Sequence, residues 1–435
     1  MIQRARRRPT RPVLWLCLLL GLVAPAQADP AESSALERLR ASLSATLEGE
    51  GASALHADWQ AERLSLQTEG LATGPIVEVQ SEGLSSDLGR RPNSVDSLRI
   101  RGQLPLPKQR SSARTYRSTA TGLVEAEARH TLREWAGLAA DDWLQLAAAL
   151  DRRALLVART ERLGRALDLH RQRLSLGEVA GTEVRQLEFQ RSREMARLRA
   201  IESQVATLTH RLRWRVGADS GSPLAGDLLA LVLALPTLEE GSIDPTSSPL
   251  VATAERRAAV AADQATMIRD RAWGLIEAEA ELQRVPRIDA TDSYESLGFR
   301  LAVPLPWGQQ GRRLRAAAEA RAQSARVSSL DFERQTSLRI AGLAGRLSSA
   351  ETLLRELALV EGDLPTAERS LAERFRLGAT SYLVYVDGLS RLDDLREDLI
   401  GARLELLRTR LELAVLLADP TIFPLPNLSH RETTP

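Results

Sequence analysis

Cysteine is almost missing from this 435-residue chain, and the one present, Cys17, sits inside an apolar run from Val13 to Val23. That run follows Arg4, Arg6, Arg7, Arg8 and Arg11 and leads into Ala26-Gln27-Ala28, which reads as a secretory signal cleaved after residue 28. The small residues that precede a lipid-modified cysteine are lacking, so the exported chain is expected to carry no thiol, disulfide or lipid anchor. No later segment is long and apolar enough to span a bilayer as a helix. Entry into a membrane would therefore have to use β-strands. Aromatic residues make up only 4% of the chain while Ala, Leu, Arg and Glu crowd it, a composition of long helices more than of a compact mixed fold.

Catalytic chemistry is equally thin. The five histidines, His56, His130, His170, His210 and His430, show no metal-ligand spacing, and neither a nucleophile motif nor a phosphate loop is present. An enzyme is not expected, and no metal or cofactor is. The formal charge of +1 belongs to the leader, whose five arginines take the exported chain to about −4 when removed. A nucleic-acid partner loses its electrostatic basis.

What the chain does contain is a duplication. Ser97-Leu98-Arg99-Ile100-Arg101-Gly102-Gln103-Leu104-Pro105-Leu106-Pro107 aligns with Ser296-Leu297-Gly298-Phe299-Arg300-Leu301-Ala302-Val303-Pro304-Leu305-Pro306, and Arg173 to Gly177 aligns with Arg374 to Gly378 at nearly the same offset. The predicted division is a signal (1–28), a first repeat (29–216), a connection (217–248), a second repeat (249–419) and a C-terminal tail (420–435). In the first repeat a polar helix over roughly Glu32 to Thr68 ends at Gly70 and Thr73-Gly74-Pro75, and two short alternating stretches follow near Ile76 to Gly83 and Val95 to Leu104. From Pro107 to Leu176 proline is absent and glycine scarce, predicting one helix of roughly 70 residues and about 105 Å. The Gly177 to Gly181 turn reverses it into a return helix from Thr182 to Val216. The second repeat is expected to match, with one helix from Pro306 to Leu377 and a return helix to Ala418. The connection is read as a small helix around Leu228 to Leu235 or as a plain linker.

In the short stretches, residues alternate in twos. Val77 and Val79 oppose Glu78, Gln80 and Glu82; Ile276, Ala278, Ala280 and Leu282 oppose Glu277, Glu279 and Glu281. Leu98, Ile100 and Leu104 oppose Arg99 and Arg101, and Leu297, Phe299, Leu301 and Val303 oppose Arg300. A sheet with one apolar and one charged face suits a barrel with lipid outside and water inside. Four strands cannot close a barrel, so several chains would have to contribute. Trp273 to Glu281 could instead continue a helix. The return helices carry heptad-like stripes, Val184, Leu187, Leu198, Ile201, Val205, Leu208 and Leu212, then Leu389, Leu392, Leu399, Ala402, Leu406, Leu413 and Leu416, which predict coiled-coil packing. The Arg and Glu between them are read as a solvated face.

Taken in order, the duplication, the Leu-Pro-Leu-Pro and Val-Pro-Leu-Pro strand exits, and the Leu176-Gly177 and Leu377-Gly378 tips resemble the TolC-like outer-membrane efflux family over the whole exported chain. The strand exits look closest to its metal and cation branch. The resemblance implies a mainly α fold of long antiparallel coiled-coil helices with four strands per subunit given to a trimeric transmembrane β-barrel. It implies a homotrimer in the outer membrane, in contact with its lipid and with a large periplasmic portion, working passively with a periplasmic adaptor and an inner-membrane efflux pump. Leu176, Gly177, Leu377 and Gly378 would meet the adaptor. Glu183 and Asp387 would gate the tunnel end, although Val384 and Thr380 depart from the family there. Glu78, Glu82, Arg99, Arg101, Glu277, Glu279, Glu281 and Arg300 would line the barrel lumen. The alternative is a soluble periplasmic coiled-coil scaffold or adaptor.

Overall fold

A computed structural model describes residues 30–68, 75–82, 95–217, 221–235, 248–271, 274–286, 293–303 and 309–418. The expected signal, the C-terminal tail, the Thr73-Gly74 breaker, Trp273 and Pro304 to Pro306 lie outside them. Two rod-like helical sets run from one small sheet. In the first, α1 (Pro30–Glu48) and α2 (Glu50–Thr68) precede β1 (Ile76–Glu82) and β2 (Val95–Leu104), followed by the 69-residue α3 (Pro107–Ser175) and the 36-residue α4 (Gly181–Val216). After the short α5 (Asp227–Ala234), the order repeats as α6 (Pro249–Arg271), β3 (Ile276–Pro286), β4 (Ser293–Ala302), α7 (Gln309–Glu361), α8 (Leu364–Arg376) and the 36-residue α9 (Tyr382–Leu417). Residues from Ile276 onward are strand, which removes the reading of that stretch as helix.

A 69-residue helix needs partners along its whole length, and two half-length helices supply them by stacking end to end. On α7, α6 covers the sheet end and α9 the far end. Their junction is sealed by Ser248, whose buried hydroxyl donates to the carbonyl of Leu416 at 2.8 Å, one of the acceptors left open where α9 ends. On α3, α2 and α6 cover the sheet end and α4 the other.

Two expected single helices are divided. The polar N-terminal helix bends at Gly49, where a Cβ would lie 3.3 Å from the carbonyl of Ala45 and 3.5 Å from that of Arg215; the chain yields there to the end of α4. The helix expected from Pro306 to Leu377 breaks at Gly362-Asp363. Pro365 has no N–H for the carbonyl of Glu361, so the helix restarts as α8 with Leu364 at its first turn.

The largest core lies where α1, α3, α4, α5 and α9 meet. Ala136, Ala139, Ala140, Ala147, Ala148 and Ala149 on α3 are buried, and their small side chains let neighbouring helices approach closely. Trp143 is wholly buried among Leu39, Leu43, Leu228 and Leu231, and its indole N–H donates to the carbonyl of Gly221. Gly221 has φ +73°, and a Cβ there would lie 2.3 Å from the carbonyl of Arg38. Gly221→Ala is therefore expected to cost about 2–4 kcal/mol, from left-handed backbone plus overpacking. Thermal unfolding of the purified variant measures this; an unchanged midpoint would contradict the close packing of α1 on the 221–226 segment.

Candidate channel wall and helix tips

Strand order is β1-β2-β3-β4, antiparallel throughout, so the two repeats join at the β2–β3 seam and β1 and β4 are left as edges. Register sorts the faces. Val77, Ile100, Ala280 and Phe299 stand side by side, as do Val79, Leu98, Leu282 and Leu297. Their face is open, with Val79 79% and Phe299 78% exposed, and it ends in a polar row of Ser81, Asp96, Arg284 and Glu295 at the rim away from the helices. An uncovered apolar face of this extent marks a membrane or partner surface.

The opposite face alternates in sign across the strands, with Glu78, Arg99 and Glu281 in one row and Arg101, Glu279 and Arg300 in the next. Arg99 is the hub. Its guanidinium lies 2.9 Å from Glu279, 3.1 Å from Glu281 and 3.9 Å from Glu78, and Arg101 reaches Glu279 at 3.7 Å. Glu277 sits in register with Gln103 and Ala302, away from this hub. The side chain of Glu82 lies outside the described residues.

At the far end the two turns are alike. Gly177 and Gly378 take φ +75° and +73°, which only glycine adopts freely. In each, two N–H groups fold back on the last helical turn: Glu178 to Arg173 at 2.9 Å and Gly177 to Leu174 at 3.0 Å, then Ala379 to Arg374 at 2.9 Å and Gly378 to Phe375 at 3.0 Å. Leu176 and Leu377 project, 73% and 70% exposed. Ser381 caps α9 by accepting from the N–H of Val384 at 3.4 Å.

Glu183 and Asp387 are not joined to each other among the described residues. Glu183 faces the buried His170 at 4.0 Å, while Asp387 pairs with Arg391 at 2.9 Å on its own exposed helix face. The strong polar contacts lie about 20 Å from the tips, around Arg159, Arg162, Asp393 and Asp394, which composition did not single out. Arg162 bonds Asp393, and Arg396 reaches Asp393 at 2.9 Å and Glu368 at 2.6 Å. Arg159 bonds Ser390 and lies 3.3 Å from Asp394 and 3.6 Å from Glu194. Asp393 and Glu194 are nearly fully buried. These charges link α3, α4, α8 and α9, so they correct the reading of Arg and Glu on the return helices as a solvated face. They border a cleft of about 490 Å³ walled by Phe375, Tyr382 and Tyr385. Among the described residues no three His, Cys, Asp or Glu side chains converge as metal ligands, and no helix is long and apolar enough to cross a membrane.

A helical rod carrying a small edge-open sheet that is apolar on one face and ionic on the other defines the fold class of barrel-and-tunnel channel subunits. No protein-family model matches the sequence, and no curated protein does. Solved structures do. CusC, described through the conformational changes of its folding and transmembrane channel formation, matches with TM-score 0.70 and 12% identity over 88% of this chain and 92% of its own. The outer membrane protein VceC of Vibrio cholerae matches with TM-score 0.66 and 17% identity over 88% and 95%. The open MtrE outer membrane channel of Neisseria gonorrhoeae matches with TM-score 0.65 and 14% identity over 89% and 88%. The chain has the fold of these outer-membrane channels.

Removing one member of the buried network is expected to cost far more than removing the exposed pair. Asp393→Ala strands Arg162 and Arg396 and should destabilise by about 3–5 kcal/mol, whereas Asp387→Ala should stay within about 1 kcal/mol. Equal losses in thermal unfolding would refute this ranking.

Proposed function

We propose that three copies of this chain form an outer-membrane channel that passively conducts small molecules or ions from the periplasm outward. One observation carries this reading: among the described residues, a sheet whose apolar face is bare and whose two edges are unsatisfied. In lipid such edges must be paired, which only closure can do. Because β1 and β4 run in opposite directions, β4 of one copy can pair antiparallel with β1 of the next. Two copies would give eight strands and a lumen filled by side chains, whereas three give twelve and leave room for water. The fold shared with outer-membrane channels supports the same reading.

In this assembly the two charged rows, Glu78, Arg99 and Glu281 and then Arg101, Glu279 and Arg300, line the pore, and the tips lie about 100 Å away in the periplasm. There Leu176, Gly177, Leu377 and Gly378 would meet a periplasmic adaptor joined to an inner-membrane pump, with Glu183 and Asp387 at the tunnel end. Exposed leucines on rigid turns support that docking role. The proline-bearing exit after β2 supports the metal and cation branch. Deleting the gene and testing sensitivity to metal ions, drugs and secreted proteins would show which class is lost. The purified protein should run as a trimer in detergent and conduct in planar bilayers; a detergent-free monomer would overturn the proposal.

Selectivity follows from the lumen charges. Carboxylates outnumber guanidiniums, so a mild cation preference is expected, rising in Arg99→Gln as Glu78, Glu279 and Glu281 lose their shared counter-ion. Reversal potentials in a salt gradient test this, and anion selectivity in either protein would rule it out.

A further inference from the structure

His170 lies near the end of α3 with its side chain 1% exposed. Its Nδ1 is 3.2 Å from the carbonyl of Ala166, which can only accept, so the neutral ring carries its proton on Nδ1 and leaves Nε2 as an acceptor. That Nε2 is buried and has no hydrogen-bond partner. It faces another acceptor, the Glu183 carboxylate at 4.0 Å, and the ring packs on Tyr382 of the second repeat with centroids 3.9 Å apart. The pair is one proton short of a bond.

The duplication supplies an independent observation. Turn glycines 177 and 378 fix the offset between repeats. At that offset His170 corresponds to Leu371 and Glu183 to Val384. Both polar members are exchanged for apolar ones together, as expected of residues that act as a unit and not of two unrelated surface changes.

We propose that His170 and Glu183 form a proton-operated latch at the tunnel end. A proton taken from solvent by Nε2 turns two facing acceptors into a charge-assisted N–H···O bond. Glu183 is drawn against α3, and its charge leaves the aperture three times over in the trimer. The latch rests on the proposed placement of Glu183 at the tunnel end. The surrounding groups do not compete for the proton. Burial and the neighbouring Tyr385 push the Tyr382 phenol well above its ordinary range, so it stays neutral. Phe375 of α8 carries no charge. On α3, Arg171 is held by Glu188 at 2.7 Å and Arg173 lies 4.0 Å from Glu178.

Histidine-selective NMR of the purified protein from pH 8 to pH 5, with single-channel recordings over the same range, tests the latch. The His170 resonance, identified by its loss in His170→Asn, is expected to titrate with a midpoint that falls in Glu183→Gln. Cation preference should drop on acidification in the unmodified channel, and that step should vanish in both variants. A midpoint indifferent to Glu183→Gln, a His170 that does not titrate, or a pH step that persists in His170→Asn would each overturn the proposal. Glu183→Gln alters only a partly exposed side chain, so the midpoint comparison stands even if His170→Asn fails to fold. A protein that conducts at no pH overturns the channel reading and with it the gating role, while the midpoint comparison still decides whether the pair is coupled.

Discussion

The unsatisfied edges of β1 and β4 are the constraint from which the remaining architecture follows. Each edge backbone group left bare in hydrocarbon costs several kcal/mol, so a four-stranded sheet with an apolar outer face has no stable place in a bilayer on its own. The proposed closure by rotation would work because the strand count is even and every pairing antiparallel, which would make the seam between copies the same kind of ladder as β2–β3 within one. Duplication thus solves two problems at once. It doubles the sheet contributed by each chain, and it delivers two helical rods for every four strands, so in the proposed trimer a closed ring of strands would be continued by a closed ring of helices.

In the proposed trimer the helices would enclose solvent, so no central core would be available to hold them. The chain instead buries ion pairs between adjacent helices. Lys108 is the single lysine among 58 basic residues, so nearly every cation is a planar guanidinium. Arg162, Arg396 and Arg403 use that geometry, bonding Asp393, Glu368 and Glu361 on neighbouring helices. Such pairs contribute modestly to net stability but impose register, since a sliding helix would separate charges from partners at a cost larger than the pair itself. For helices held side by side over tens of ångströms, register is what packing of Ala and Leu alone specifies poorly.

How far the sequence foretold this depended on period. Strands were legible because Val77 to Gln80 and Ile276 to Leu282 alternate in twos, and α3 because nothing interrupts it. Return helix α9 was only half legible. One stripe, Leu392, Leu399, Leu406 and Leu413, is apolar and was readable as the seam against α7, where Leu406 and Leu413 pack on Ile340 and Leu343. The other runs Leu389, Asp393, Arg396, Ile400, Arg403, Leu407, Arg410 and Ala414 in steps of four and three, and it faces α3 and α8 while Arg403 and Arg410 reach Glu361 and Glu351 of α7. Charged residues occupy half of it, so a hydrophobicity criterion sees a solvated face where tertiary partners make a buried one. Gly49 and Gly362-Asp363-Leu364-Pro365 were visible as weak helix formers, yet only the abutting end of α4 explains why the first bends the chain.

The two repeats also differ where a symmetric tube would need them equal. Both tips end in the same glycine-terminated turn, so the exposed backbone there is twofold repeated within each chain and would be sixfold quasi-repeated in the proposed trimer. The side chains behind the turns are not repeated. The first repeat keeps the polar His170 and Glu183, and the second places Leu371 and Val384 there with Phe375, Tyr382 and Tyr385 clustered beside them. In the proposed trimer, a partner that reads backbone and projecting leucines would meet six nearly equal sites, whereas the diverged layer behind them would occur three times. On the proposed reading, docking and gating could therefore change independently, because the first would rest on the shared turn and the second on the diverged layer behind it.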